Sequence, residues 1–231
     1  MDSFRKLQVV LVLCCAVLVA PVSAQPDNDG LHRLTTPVGG VAFEVVGQVT
    51  NLPPAGPGQP ATSQQYGYLS TINGPSADQV FNTPIPTLQN ETTARFTFFT
   101  DAITERVISN GRLRVVNRTG TTSIYFDASS GGDFGNRDTF RDGVPILVMN
   151  YRQQVILDTG EASPSVPGSG TFTVMNLLSV ADVSSFEIGG ERYQMGRQQD
   201  QFRQFYSGVP PTLAPPSGVF AGYAVVIDRG Q

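Results

Sequence analysis

Apolar and polar residues alternate with a period of two along most of this chain, the spacing of half-buried β-strands. Residues 41–50 (VAFEVVGQVT) alternate around Phe43, Val45 and Gly47, and residues 66–72 (YGYLSTI) form a second candidate strand. In residues 92–100 (TTARFTFFT), Ala94, Phe96 and Phe98 share one face, with Arg95 and Thr97 on the other. Asn110-Gly111 is the strongest hairpin signal, because a type I′ turn wants positive φ at both central residues. It joins residues 105–109 to 112–117, and Arg118-Thr119-Gly120 then turns into residues 121–127 (TTSIYFD).

The second half continues in the same way. Residues 146–158 place Leu147, Met149, Tyr151, Val155 and Leu157 on one parity, and residues 171–180 do so with Phe172, Val174, Leu178 and Val180. Gly189-Gly190 marks another hairpin, between residues 186–188 and 191–194. Residues 219–227 (VFAGYAVVI) are apolar on both faces, which predicts a well-buried strand. Only residues 197–206 have helical spacing, through Phe202, Phe205 and Tyr206. Three Pro/Gly-rich loops, 51–65, 159–170 and 207–218, are long enough to be lids or tolerated insertions. Many short strands with frequent turns predict an all-β, single-domain antiparallel β-barrel of about eight to ten strands. A β-sandwich or jelly roll is the alternative.

The N-terminus breaks this pattern. Arg5 and Lys6 precede an apolar run over residues 7–20, and Val22-Ser23-Ala24 supplies small residues before Gln25. That order is a secretory signal peptide over residues 1–24, and the run is shorter than the roughly 20 residues a membrane span needs. The expected location is therefore secreted, extracellular or periplasmic, with no transmembrane span. Residues 25–37 read as a flexible polar tail and residues 38–231 as one all-β domain. Removing the signal takes Cys14 and Cys15, the only cysteines, so no disulfide is available to the mature chain. It also takes two of the 15 basic residues and one of the 19 acidic ones, moving the net charge from −4 to about −5 and leaving every basic residue an arginine. With no basic run, no nucleic-acid partner is expected.

The residue inventory narrows the chemistry. The single histidine, His32, falls in the expected tail, so a Ser-His-Asp or Cys-His nucleophile has no positioned partner. Zinc and copper sites lack ligands for the same reason, and no phosphate-cradling glycine loop is present. Carboxylates, tyrosines, arginines and amides remain. Asn176 shares the inward parity of Phe172, Val174 and Leu178, and Gln153 lies between Tyr151 and Val155. Buried amides need hydrogen-bond partners, supplied by the fold or by a ligand. With Tyr125, Tyr151 and Tyr223 on strands, these residues are the candidate ligand-binding set, an apolar wall with a few polar handles. Asp127, Asp158 and Asp228 end strands and Asp101 and Glu105 flank one, but nothing in their spacing pairs them for acid–base work. Asn90-Glu91-Thr92 and Asn117-Arg118-Thr119 match the N-glycosylation sequon.

Residues 129–143 (SSGGDFGNRDTFRDG) concentrate glycines and acids. Their spacing matches neither the tandem G-G-x-G-x-D calcium turn nor the EF-hand loop. An irregular Ca²⁺ site from Asp133, Asn136, Asp138 and Asp142 is the metal alternative; the favoured reading is a charged connection between strands, with no cofactor expected. Gly132-Asp133-Phe134-Gly135 resembles the G-D-[YF]-G element of allene oxide cyclase and dirigent-like barrels. The resemblance covers these four residues and implies a small closed barrel, calycin-like or allene-oxide-cyclase-like; no catalytic residue carries over. The expected function is non-catalytic binding of a small, largely apolar molecule. The alternatives are a cofactor-free, dirigent-like cyclase or isomerase and a β-sandwich adhesion or envelope module. Oligomeric state is not encoded in any of these features.

Overall fold

The computed structural model describes residues 30–158, 171–209 and 217–230. The expected signal peptide, the 159–170 loop and most of the 207–218 loop lie outside the described residues. Eleven strands follow one another: β1 (Leu31–Leu34), β2 (Val41–Leu52), β3 (Thr62–Ile72), β4 (Phe96–Asn110), β5 (Leu113–Phe126), β6 (Val144–Asp158), β7 (Phe172–Val183), β8 (Ser185–Ile188), β9 (Glu191–Met195), β10 (Gln201–Val209) and β11 (Ser217–Asp228). A short helix, α1 (Ala77–Val80), and 3-10 turns at Pro86–Leu88 and Arg137–Arg141 complete the described elements. No helix among the described residues is long and apolar enough to cross a membrane.

Eight strands close an antiparallel barrel in the order β10-β11-β2-β3-β4-β5-β6-β7, with β7 pairing back to β10. Closure removes the free edges that a sandwich retains, so the barrel stands and the sandwich alternative falls. Period-two alternation sends one face of each strand into the lumen. Phe43, Val45 and Val49 of β2, Phe96 and Phe98 of β4, Leu147, Met149, Tyr151 and Val155 of β6, and Phe172, Val174, Leu178 and Val180 of β7 are all buried.

The two barrel ends differ. At one end β1, β9 and β8 form a separate three-stranded sheet, with β1 parallel to β9. Phe186 of this sheet packs on Phe96 and Phe126 of the barrel at ring-centroid distances of 5.3 and 5.1 Å, and on Tyr193 at 5.9 Å. Leu34, Val80, Phe81, Ile188 and Met195 are buried in the same core. Burial of so much apolar surface, at about 25 cal/mol per Å², makes this end a hydrophobic plug. The other end is bounded by Leu52, Thr62, Asp158, Phe172, Val209 and Ser217. Among the described residues no named helix or short strand packs across this unplugged end.

Several local expectations change. Residues 197–206 do not form a helix: β10 pairs with β7 on one side and β11 on the other, placing Phe202, Gln204 and Tyr206 in the lumen and Phe205 outside. Closing the barrel outweighs a weak i, i+3, i+4 pattern. Residues 31–34 are not a loose tail but strand β1, and His32 stacks on Tyr193 and lies 3.1 Å from Glu191. The chain from Phe96 to Asn110 is one strand, where two separate segments were expected. Its turn is centred on Gly111 and Arg112, with Asn110 opposite Leu113. Gly111 has φ +58° at the first central position, where a type II′ turn wants glycine.

Gly120 ends no strand either. β5 runs through it, and a side chain there would stand 2.0 Å from the Asp101 carbonyl oxygen. The loop after β2 is shorter than expected, at residues 53–61. Strand β11 buries only Phe220, Ala224 and Val226 along with Gly218; Val219 and Tyr223 face outward and are exposed. The Gly189-Gly190 hairpin stands as expected, with φ +61° and +86°, but it belongs to the plug.

Candidate functional site

Within the lumen, between the plug and the unplugged end, the inward pattern turns polar. Tyr151, Gln153 and Asn176 all point inward and are buried, as their parity predicts. Tertiary structure brings them together with residues the alternation did not single out: Gln65 from β3, Arg118 from β5, and Gln204 and Tyr206 from β10. The Gln65 amide donates to the Tyr151 hydroxyl at 2.6 Å, and the Tyr206 hydroxyl donates to the Gln65 oxygen. Gln153 donates to the Tyr206 hydroxyl at 2.6 Å and accepts from Arg118 Nη1 at 2.8 Å. Arg118 Nη2 then reaches Asn51 Oδ1 at 2.7 Å. Since β3 and β4 stand between β2 and β5 in the sheet, this last bond crosses the lumen.

The result is one chain of hydrogen bonds running from Tyr151 to the end of β2. Beside it, Asn176 donates to Gln204 at 2.7 Å, and Thr100 and Thr122 share a hydrogen bond of 2.6 Å. Side chains fill the middle of the barrel. Gln65, Thr100, Thr122, Gln204 and Tyr206, with apolar neighbours, enclose a cavity of only about 10 Å³ for the centre of a water molecule. That is room for one water, far below the 300–1,000 Å³ typical of a small-molecule pocket. This cavity is therefore too small for a small-molecule ligand. The inward residues toward the unplugged end, Val49, Val116, Val155 and Phe172, are apolar and buried.

Burial sets the acidity of the two phenols. It pushes Tyr206 up to about 12 and Tyr151 well above its ordinary value. Both are neutral at physiological pH and held between amides, a state suited to donating and accepting hydrogen bonds rather than to acting as a base. The sign for stability follows. Unfolded tyrosine ionises near 10, so stability is whole below that pH and falls between about pH 10 and 12, where the unfolded chain binds fewer protons. For Tyr206 alone the loss reaches about 2–3 kcal/mol. Absorbance at 295 nm under alkaline titration should therefore show Tyr151 and Tyr206 ionising only with unfolding. Reversible ionisation of Tyr151 and Tyr206 near pH 10 in the folded protein, identified by the loss of amplitude in Tyr151→Phe and Tyr206→Phe, would remove this picture.

The other candidate residues lie outside the lumen. Tyr125 is out of phase with the inward Ile124 and packs against the outer cluster of Tyr66, Phe99 and Phe140. Tyr223 alternates with Gly222 and Ala224, so it faces out and packs on Phe205 at 6.0 Å. Neither joins the wall expected of it. Asn90 is occupied locally, accepting from the Thr92 amide and hydroxyl, and Asn117 lies in mid-strand on β5.

The 129–143 segment does connect β5 to β6, but across the outer wall rather than at the rim. Phe140 is fully buried against Tyr66 and Phe134, at 5.5 and 4.9 Å, and its carbonyl accepts from the Thr97 hydroxyl at 2.9 Å. Arg141 covers the Phe99 ring at 4.5 Å. Two of the proposed calcium ligands are engaged locally: Asp133 accepts from the Gly135 amide and Asp138 pairs with Arg141, while Asn136 and Asp142 flank the 3-10 turn. Among the described residues no three His, Cys, Asp or Glu side chains are grouped to hold a metal ion.

Comparison with known protein families, curated proteins and solved structures finds no match to this chain. Function is therefore argued from the lumen alone.

Two signals in the sequence point to the missed residues. Gln204 and Tyr206 share the parity of Phe202 once the segment is taken as a strand. Arg118 shares the parity of Val116 and Thr122 once Gly120 is placed inside β5 rather than at its edge.

Proposed function

We propose that this protein is a secreted, non-catalytic barrel that binds a small, largely apolar molecule at the unplugged end of its lumen. One observation carries the reading: a chain of hydrogen-bonded side chains, buried from Tyr151 through Gln65, Tyr206 and Gln153 and ending on partly buried Arg118, leads toward apolar Val116, Val155 and Phe172 near the unplugged end. A barrel of this size needs no such chain for stability. Apolar side chains of similar volume would fill the lumen at equal or lower free energy. Polar handles beneath apolar walls are what a small-molecule seat requires. The neutral phenols and the absence of a carboxylate from the chain favour binding over catalysis.

Native mass spectrometry of protein recovered from the exported fraction tests this. The expected result is a chain beginning at Gln25 that carries a small molecule, released on denaturation and restoring a higher Tm when added back. Bare protein whose Tm is indifferent to decanol and decanoate would overturn the binding reading. A chain retained in the cytoplasm with residues 1–24 intact would overturn the export.

A further inference from the structure

Arg118 occupies an unusual position for a cation. Its side chain points into the lumen, crosses it toward the unplugged end, and donates only to two neutral amide oxygens, those of Gln153 and Asn51. No carboxylate among the described residues pairs with it; the other ionisable groups acting on it are the phenols of Tyr151 and Tyr206 and the guanidinium of Arg114. Burial pulls the guanidinium below its ordinary range, yet arginine does not give up its proton in proteins. Arg118 is partly buried, and a charge drawn even partly out of water is costly without a counter-charge. Arg118 Nε is moreover buried without a hydrogen-bond partner.

A second orphaned group lies at the same end. Ser63, the second residue of β3, is fully buried, and its hydroxyl has no partner. It sits opposite Asn51 in the β2–β3 ladder, and Asn51 is the residue that Arg118 reaches across the lumen. A cation with a spare donor and a buried, unpartnered hydroxyl thus lie toward the same end of the lumen, with Val116, Val155 and Phe172 nearer the rim on β5, β6 and β7.

We propose that Arg118 is an anion-binding residue, seating the carboxylate of an otherwise apolar ligand toward the unplugged end of the barrel. A carboxylate fits what is unused. Its two coplanar oxygens match a guanidinium edge, and its single charge neutralises the single cation. A phosphate would bring further charge and further oxygens into a region with few remaining donors. The assignment rests on the unplugged-end binding reading and adds to it the chemical class of the ligand. It also gives Arg118 its role: the Gln153–Tyr206–Gln65–Tyr151 chain holds the guanidinium in place, and the ligand supplies the missing charge.

Isothermal titration of the protein with decanoate, 1-decanol and decyl phosphate tests the assignment. Decanoate is expected to bind at least about tenfold more tightly than decanol. Arg118→Met should remove that preference by weakening decanoate alone, and Arg118→Lys should keep part of it. In the wild-type protein the Arg118 Nε–H resonance, identified by its loss in Arg118→Met, should shift on addition of decanoate but not of decanol. Equal affinity for decanoate and decanol would overturn the anion site while leaving the binding barrel standing. Tightest binding of decyl phosphate would overturn the carboxylate, and an unchanged preference in Arg118→Met would overturn the residue. Failure of all three probes to bind would take the unplugged-end reading down with the proposal. Should Arg118→Met fail to fold, the wild-type comparison of decanoate with decanol decides the matter without it.

Discussion

Replacing Asp200 with alanine is expected to lower the unfolding free energy by about 3–5 kcal/mol, the range for breaking a buried ion pair by removing one partner. Asp200 is completely buried at the plugged end of the barrel. One carboxylate oxygen accepts from Arg229 Nη1 at 2.6 Å and from the Arg197 amide at 3.0 Å; the other accepts from the Gly230 amide at 3.0 Å. Arg229 also donates to the Thr36 carbonyl, so a single carboxylate ties the start of β10, the chain after β11 and the segment after β1. Alanine leaves a guanidinium and two amides without their acceptor. Urea unfolding should show a lower midpoint with an unchanged m-value. In a double-mutant cycle with Arg229→Ala, the combined loss should fall short of the sum of the two. A loss below about 1 kcal/mol would mean that this clasp does not hold the plug. Because it lies at the far end, the variant should bind decanoate like the wild type under conditions where both are folded.

Phe140→Ala is the second large effect expected, at about 3–5 kcal/mol for a fully buried phenylalanine. The ring pins the β5–β6 connection to the outer face of β3 and β4 through Tyr66, and its neighbour Arg141 lies over Phe99. Truncation should both destabilise the barrel and expose residues 128–143 to protease. The acids of the same segment behave differently: Asp138→Asn and Asp142→Asn, both at exposed positions, should change stability by less than about 0.5 kcal/mol. Added Ca²⁺ should leave the Tm in place. A calcium-dependent rise in Tm that Asp138→Asn abolishes would restore the metal reading and sink this one.

Much of the barrel was legible because a strand with one face in a lumen writes its period into the sequence. Residues 146–158 and 171–180 are the clearest cases. Both faces of β6 and β7 follow from alternation alone, and with them the inward placement of Tyr151, Gln153 and Asn176. The same reasoning failed wherever local signals and long-range pairing disagree. Phe202, Phe205 and Tyr206 have helical spacing, but β7 and β11 present open ladders on both sides, and the backbone hydrogen bonds of closure prevail. Gly120 looks like a turn until the Asp101 carbonyl is seen pressed against it from β4. His32 looks like part of a tail because its strand is short and its partner, β9, is some 160 residues away in sequence.

The candidate site was only half legible for a related reason. Parity states which way a side chain points, and Tyr151, Gln153 and Asn176 needed nothing more. It does not state which inward residues share a level in a closed barrel, where staggered, tilted strands bring distant positions together. The bond from Arg118 to Asn51 spans 67 residues and two intervening strands, and no spacing rule anticipates it. Sequence by itself determined the all-β architecture, the inward faces of most strands and the lack of histidine or cysteine chemistry in the barrel, because these depend on period and composition. Tertiary structure alone decided that the middle of the lumen is filled, that one end is plugged, and that toward the other stands a partly buried arginine with no carboxylate partner among the described residues. Those outcomes depend on closure, which sets residues side by side that no local pattern relates.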